Sequence, residues 1–184
     1  MKLNKLLRAT VSGVLLSVLL TGCGIATQNY SMSLENSSKL KLLSKRSNNK
    51  VNVGAITSST GKSFERCRIT DTIETPSGKK YEEYLKEAID AEFIMADLHD
   101  LEGVKLTGDI KKLDLDASVM NASWKIEIEF IIGENTFTIN HSKMFEGALN
   151  SDVVCPRAAK NFDDLIQGVV GALATNPQFL KSLK

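Results

Sequence analysis

The clearest pattern in the chain is a strict alternation over residues 122–133. Trp124, Ile126, Ile128, Phe130 and Ile132 share one parity, and Lys125, Glu127 and Glu129 share the other. Successive side chains of an extended strand point to opposite faces, so this segment reads as a strand with one buried and one wetted side. After the turn Gly133-Glu134-Asn135, residues Thr136–Phe145 repeat the alternation, with Phe137 and Ile139 inward and Thr136, Thr138 and Asn140 outward. Over Val104–Ala117 the apolar positions change phase: Val104, Leu106 and Ile110 are even, Leu113 and Leu115 odd. That change predicts a bulge at Lys111–Lys112. A shorter alternation over Lys50–Thr57 places Val51, Val53 and Ala55 on one face.

Two stretches switch to the helical period. Tyr81, Tyr84/Leu85, Ala88, Ala91/Glu92, Met95 and Leu98 predict a helix over residues 79–99, with Ser77 as its N-cap and Glu82 and Glu83 in the first turns. Ala158/Ala159, Phe162, Leu165/Ile166, Val169/Val170 and Leu173 predict a second helix from near Pro156, broken at Asn176-Pro177. A last turn offers Phe179, Leu180 and Leu183 to the core. The order β-α-β-β-β-α predicts an α+β two-layer sandwich, a mainly antiparallel four-stranded sheet with both helices on one face. Between the first strand and the first helix runs a long polar stretch, Ser58–Lys80. Such segments are usually functional or stapled, and a short edge strand fits around Arg66–Thr72.

Charge narrows the function classes. The chain of 184 residues carries 23 basic and 22 acidic side chains. This balance gives no reason to expect a nucleic-acid partner, which normally asks for a basic stripe. The N-terminus is different. Lys2, Lys5 and Arg8 precede the apolar run Ala9–Leu20, which is shorter than the ~20 residues a membrane-spanning helix needs and suits a signal peptide. Leu20-Thr21-Gly22-Cys23 follows at once. This tetrapeptide resembles the lipobox of bacterial lipoproteins, L-[AST]-[GA]-C, at every position. The resemblance implies a lipoprotein signal peptide over residues 1–22, cleavage before Cys23, and acylation of the Cys23 sulfur and of the new amino terminus. Removing residues 1–22 takes three cations and no acid from the chain, leaving the mature part at −2. Three acyl chains on one residue would hold to a bilayer essentially permanently, since one alone binds only marginally. Gly24 follows the cysteine. In lipoproteins of enteric type, Asp at that place favours the inner membrane, so Gly24 leans by analogy toward the outer membrane, with the domain facing the periplasm.

The Ser-, Asn- and Lys-rich segment over residues 23–49 reads as a lipidated N-terminus and tether, leaving residues 50–184 as a single periplasmic domain. Leu40, Leu42 and Leu43 are the tether residues able to dock on that domain. The two remaining cysteines, Cys67 and Cys155, are an even number in an oxidising compartment, and a disulfide is the simplest reading. A redox pair lacks C-x-x-C, and a metal pair lacks a nearby His. In the chain-entropy picture, a bridge across so long a loop is worth up to ~4–5 kcal/mol.

A lipobox, a tether, a lone strand, a helix, three strands and a helix ending in NPQFLKSL resemble the YajG-type lipoproteins of Gram-negative bacteria. The same order is similar to the LptE-type lipoproteins and the N-terminal domain of TolB. The resemblance rests on element order over most of the mature chain. Its YajG side implies an outer-membrane lipoprotein of poorly defined role, and its LptE side a plug or assembly factor for the lipopolysaccharide translocon. No binding residue carries over from either.

The search for catalytic chemistry finds little. Thr60-Gly61-Lys62-Ser63 lacks the glycine a P-loop needs five residues earlier, where Ile56 stands. His99 and His141 have no His or Cys at metal-ligand spacing, and no G-x-S-x-G occurs. No cofactor, metal or enzymatic activity is expected. The expected function is binding another envelope component, protein or lipopolysaccharide, in assembly or maintenance of the envelope. The candidate contact is the outward strand face carrying Lys125, Glu127 and Glu129. The alternative is a small-ligand or lipid-binding lipoprotein with a pocket between helices and sheet.

Overall fold

The computed structural model describes residues 24–69 and 71–184. Cys23 and the signal peptide lie outside the described residues. Strands β2 (Val51–Ser58), β5 (Val104–Asp116), β6 (Asn121–Ile132) and β7 (Asn135–Glu146) form the main sheet in that spatial order. The β5–β6 and β6–β7 pairs are antiparallel, whereas β2 runs parallel to β5. Helix α2 (Tyr81–Met95) lies in the crossover between β2 and β5, so the sheet is mixed. A parallel pair needs such a crossover, and this one is long enough to supply a helix. Helix α3 (Ser151–Thr175) packs with α2 on the apolar side of the sheet, and α4 (Pro177–Ser182) closes one corner. The fold is the α+β sandwich expected.

The inward phase holds along β5, β6 and β7. Trp124, Ile128, Phe130 and Ile132 are fully buried, as are Leu106 and Ile110. The pairing of β5 with β6 shifts between Ile110 and Lys112, at the bulge that the phase change predicted. A second shift, between Val53 and Ile56 of β2, overturns one detail: Ile56 is buried and Ala55 faces solvent. Phe162 is the hub of the helix–sheet interface, with ring centroids 5.1 Å from Trp124, 5.3 Å from Tyr81 and 5.4 Å from Tyr84. The Trp124 indole N–H donates to the Ala158 carbonyl at 2.8 Å, which satisfies the one polar atom the indole brings into the core.

Several helix ends differ from expectation. Ser77 does not cap α2, since it sits at φ 59° in a single 3-10 turn, Pro76–Gly78. The helix starts beyond Lys80, where the Glu83 carboxyl accepts from the Lys80 backbone N–H at 3.2 Å. Met95 is exposed, and Ile89 and Phe93 are buried instead. Helix α3 begins at Ser151 rather than near Pro156, so the proline lies in its second turn and Cys155 is helical. At α4, Asn176 accepts from the amides of Gln178 and Phe179 and places Phe179 against Phe93.

The largest correction concerns residues 24–49. This segment is not a loose tether but an arm folded onto the domain. Strand β1 (Gly24–Ala26) pairs in parallel with β4 (Thr72–Glu74), which pairs antiparallel with β3 (Glu65–Arg66). These three strands form a small sheet of their own, so the extended residues inside the polar stretch do not edge the main sheet as expected. Helix α1 (Leu34–Ser44) then lies across α2 and α3 with Leu40 fully buried, whereas Leu42 is exposed.

Candidate functional site

The outward sheet face is built from alternate residues of β5, β6 and β7. Lys125, Glu127 and Glu129 stand on it together, as their spacing predicted. Lys125 is exposed, and the two glutamates are half-buried by their cross-strand neighbours. In register, Asp109 faces Glu129, Lys112 faces Glu127 and Asp114 faces Lys125. Lys111, displaced by the bulge, bridges Asp109 at 2.8 Å and Glu129 at 3.1 Å. Lys112 pairs with Asp114 at 3.2 Å. The hydrogen bond from Lys111, joined by donors on Ser59 and Thr57, holds the Asp109 carboxyl down to about 2. The face is therefore a lattice of compensated charge rather than an acidic patch. A shallow depression of about 300 Å³ opens on it among Lys112, Lys125, Glu127, Asn140 and Ser142.

Cys67 and Cys155 are joined, with their Cα atoms 5.7 Å apart. The bond ties the turn after β3 to the second turn of α3. Beside it, the Arg68 guanidinium donates to the Ala148 carbonyl at 2.8 Å.

Sequence reasoning missed a polar clasp that holds the arm. Glu92 of α2 and Asp163 of α3 are both buried. The Glu92 carboxyl accepts from the Tyr30 hydroxyl at 2.9 Å, the Ser33 backbone N–H at 2.7 Å and the Ser37 hydroxyl at 2.9 Å. Asp163 accepts from the Ser31 amide and hydroxyl, from Gln167 at 3.3 Å and, more weakly, from the Tyr84 hydroxyl. Every one of these donors is a neutral hydroxyl or amide. Burial, with the neighbouring carboxyls, pushes the Tyr30 and Tyr84 phenols well above their ordinary value, so both remain donors. The Asn36 side chain adds a bond to the Gln167 carbonyl at 2.8 Å. One signal was present in the sequence: Glu92 falls on the inward phase of α2, an acid within an apolar stripe.

The two histidines sit apart, His141 on β7 and His99 after α2. A Cβ on Gly168 would lie 1.9 Å from His141 Nε2, so the ring rests in the space that glycine leaves on α3. Burial, then the Lys143 charge, lowers the His141 value. The His99 ring approaches Asp90, 3.7 Å from its carboxyl oxygen, rather than Asp97 or Asp100. Among the described residues, no group of three or more potential ligands is placed to hold a metal. The space between helices and sheet, where a ligand pocket was the alternative expectation, is filled by Trp124, Phe130 and Phe162.

No family model matches the chain, and no curated protein does. Among solved structures, the chain is similar to protein XCC0632 from Xanthomonas campestris, which carries the family description DUF330. The TM-score is 0.54 at 10% identity, over 86% of this chain and 96% of that one. At that identity the likeness concerns the fold alone, and it extends over most of both chains.

Proposed function

We propose that this protein is a non-catalytic lipoprotein of the bacterial envelope, anchored by an acylated Cys23 and acting by binding another envelope component. The observation that carries the reading is Leu20-Thr21-Gly22-Cys23, placed directly after a basic start and a short apolar run. The anchor belongs at the outer membrane with the domain in the periplasm. Two features support this. Among the described residues, no helix is long and apolar enough to cross a membrane, which is compatible with attachment through a lipid. The Cys67–Cys155 bond also suits an oxidising compartment. The contact surface in this reading is the mixed-charge face of Lys125, Glu127 and Glu129, taking a protein or a lipopolysaccharide headgroup.

Labelling with radioactive palmitate tests the anchor. The wild-type chain takes up label and is shortened. The Cys23→Ser variant stays at precursor mass and takes up none. Equal labelling of the two chains overturns the reading.

A further inference from the structure

Exposed apolar side chains are ordinary when scattered, but several gathered at one place mark a contact surface. Three turns far apart in sequence meet at one end of this molecule. One is the turn closed by the Cys67 amide on the Asp71 carbonyl, with Ile69 at its tip. The second joins β5 to β6 and carries Val119 and Met120. The third joins β7 to α3 and carries Leu149, with Val153 just inside the helix. Ile69 is 92% exposed, Met120 81% and Leu149 80%. The turns touch one another. Arg68 donates to Ala148, and a Cβ on Gly147 would lie 2.2 Å from the Ser118 carbonyl oxygen. The disulfide fixes the first turn to α3, which leads out of the third.

The charges at this end are largely engaged. Arg157 pairs with Glu146 at 3.2 Å and donates to the Gly147 carbonyl, and Asp116 accepts from the Ser118 amide at 3.0 Å. Ile69, Met120 and Leu149 project among them, beside the exposed acid Asp152 in the first turn of α3.

The start of the arm supplies the occupant. Gly24 pairs with Thr72 and runs parallel to β4, so the chain enters the folded body where β4 leaves the Ile69 turn. Ile69 stands three positions before Thr72, so Gly24 lies no more than about 16 Å from Ile69, Cα to Cα, by chain geometry. Gly24 is bonded directly to Cys23.

We infer that this end is a bilayer seat: Ile69, Met120 and Leu149 enter the membrane interface beside the acyl chains on Cys23 and fix the orientation of the domain. The inference rests on the acylation proposed above. The arm leaves no slack between anchor and body, so the lipid brings this end, rather than the sheet face, to the headgroups. Apolar side chains that enter the headgroup and acyl boundary reach ~5–10 Å deep. The sheet face bearing Glu127 then stands roughly along the membrane normal, free to meet a partner.

The test uses the acylated full-length product, extracted from membranes and reconstituted in phosphatidylethanolamine–phosphatidylglycerol vesicles containing brominated lipid. The chain has one tryptophan, Trp124, which is fully buried and gives a common baseline. Leu149→Trp places a second indole at the seat. Leu101→Trp places one on an exposed turn before β5, about 40 Å away along that strand. Both sites are exposed, and an unchanged thermal midpoint confirms that each variant is folded. Quenching at Leu149→Trp several-fold above that at Leu101→Trp is expected. Equal quenching, with both proteins labelled by palmitate, overturns the seat and leaves the anchor standing; it would redirect the apolar end to a protein partner. A wild-type chain that takes up no palmitate overturns the anchor, and the seat with it.

Discussion

The outward sheet face and the N-terminal arm are both polar in sequence, yet they behave in opposite ways. On the sheet, Lys125, Glu127 and Glu129 point away from the core and are balanced by Lys111, Lys112, Asp109 and Asp114. Such exposed pairs are worth little to stability, about 0–1 kcal/mol each. In the arm, Tyr30, Ser31, Ser33 and Ser37 turn toward two buried carboxyls. Losing one of those donors leaves a buried carboxyl short of a hydrogen bond, at ~1–3 kcal/mol. Polarity therefore does not separate a wetted surface from a docked segment; the group that the polar atoms meet does.

The strongest challenge to this contrast comes from the opposite side of the sheet. Ile128→Ala removes a fully buried side chain next to Glu127 and should cost ~2–5 kcal/mol in a denaturant titration. A loss below ~0.5 kcal/mol would mean that the two faces are not distinct in energy. Glu92→Ala should cost less, ~2–4 kcal/mol, because the freed arm can recover hydrogen bonds from water. Its effect should be local: protease sites around residues 30–44 open while the sheet stays protected. Uniform unfolding would show that the clasp belongs to the core rather than to the arm.

A smaller effect is expected at His141. Its folded value is lowered, so below the ordinary value of ~6.5 the unfolded chain binds more protons than the folded one. Stability is thus full above that value, falls as pH drops through it, and levels off once the lowered folded value is passed. His141→Gln should flatten this part of the pH–stability curve, and an unchanged slope contradicts the burial argument. The smallest effect belongs to the sheet face. Reversing Glu127 and Glu129 to Lys should leave the thermal midpoint nearly unchanged, even with the pair to Lys111 lost. The same change should lower the yield of in-cell cross-links to envelope partners. Wild-type yields would move the contact elsewhere.

Periodicity made most of the sandwich legible. The alternation over residues 122–133 gave both the register of β6 and the identity of its outward residues, and one phase change located the bulge of β5. Periodicity is silent where structure depends on a few distant partners. Nothing local in the arm announces that Ser33 and Ser37 will meet Glu92, more than fifty residues away. Pro156 suggests a helix start because proline is well tolerated in a first turn, but Val154 and Cys155 already extend the apolar stripe of α3 upstream. The mixed sheet was hidden because strand direction depends on the path of the connection, not on the strand's own residues. The candidate contact face was legible as three residues, but its charge compensation by the β5 lysines appears only with the register.

Native-state hydrogen exchange of the Ser31 and Ser33 amides in the acylated protein tests the central claim most directly. If the arm is clasped by Asp163 and Glu92, both amides should exchange far more slowly than in a free chain, and Glu92→Ala should release Ser33 to the free-chain rate. Free-chain exchange of both amides in the unaltered protein would contradict the clasp and restore a flexible tether between lipid and domain.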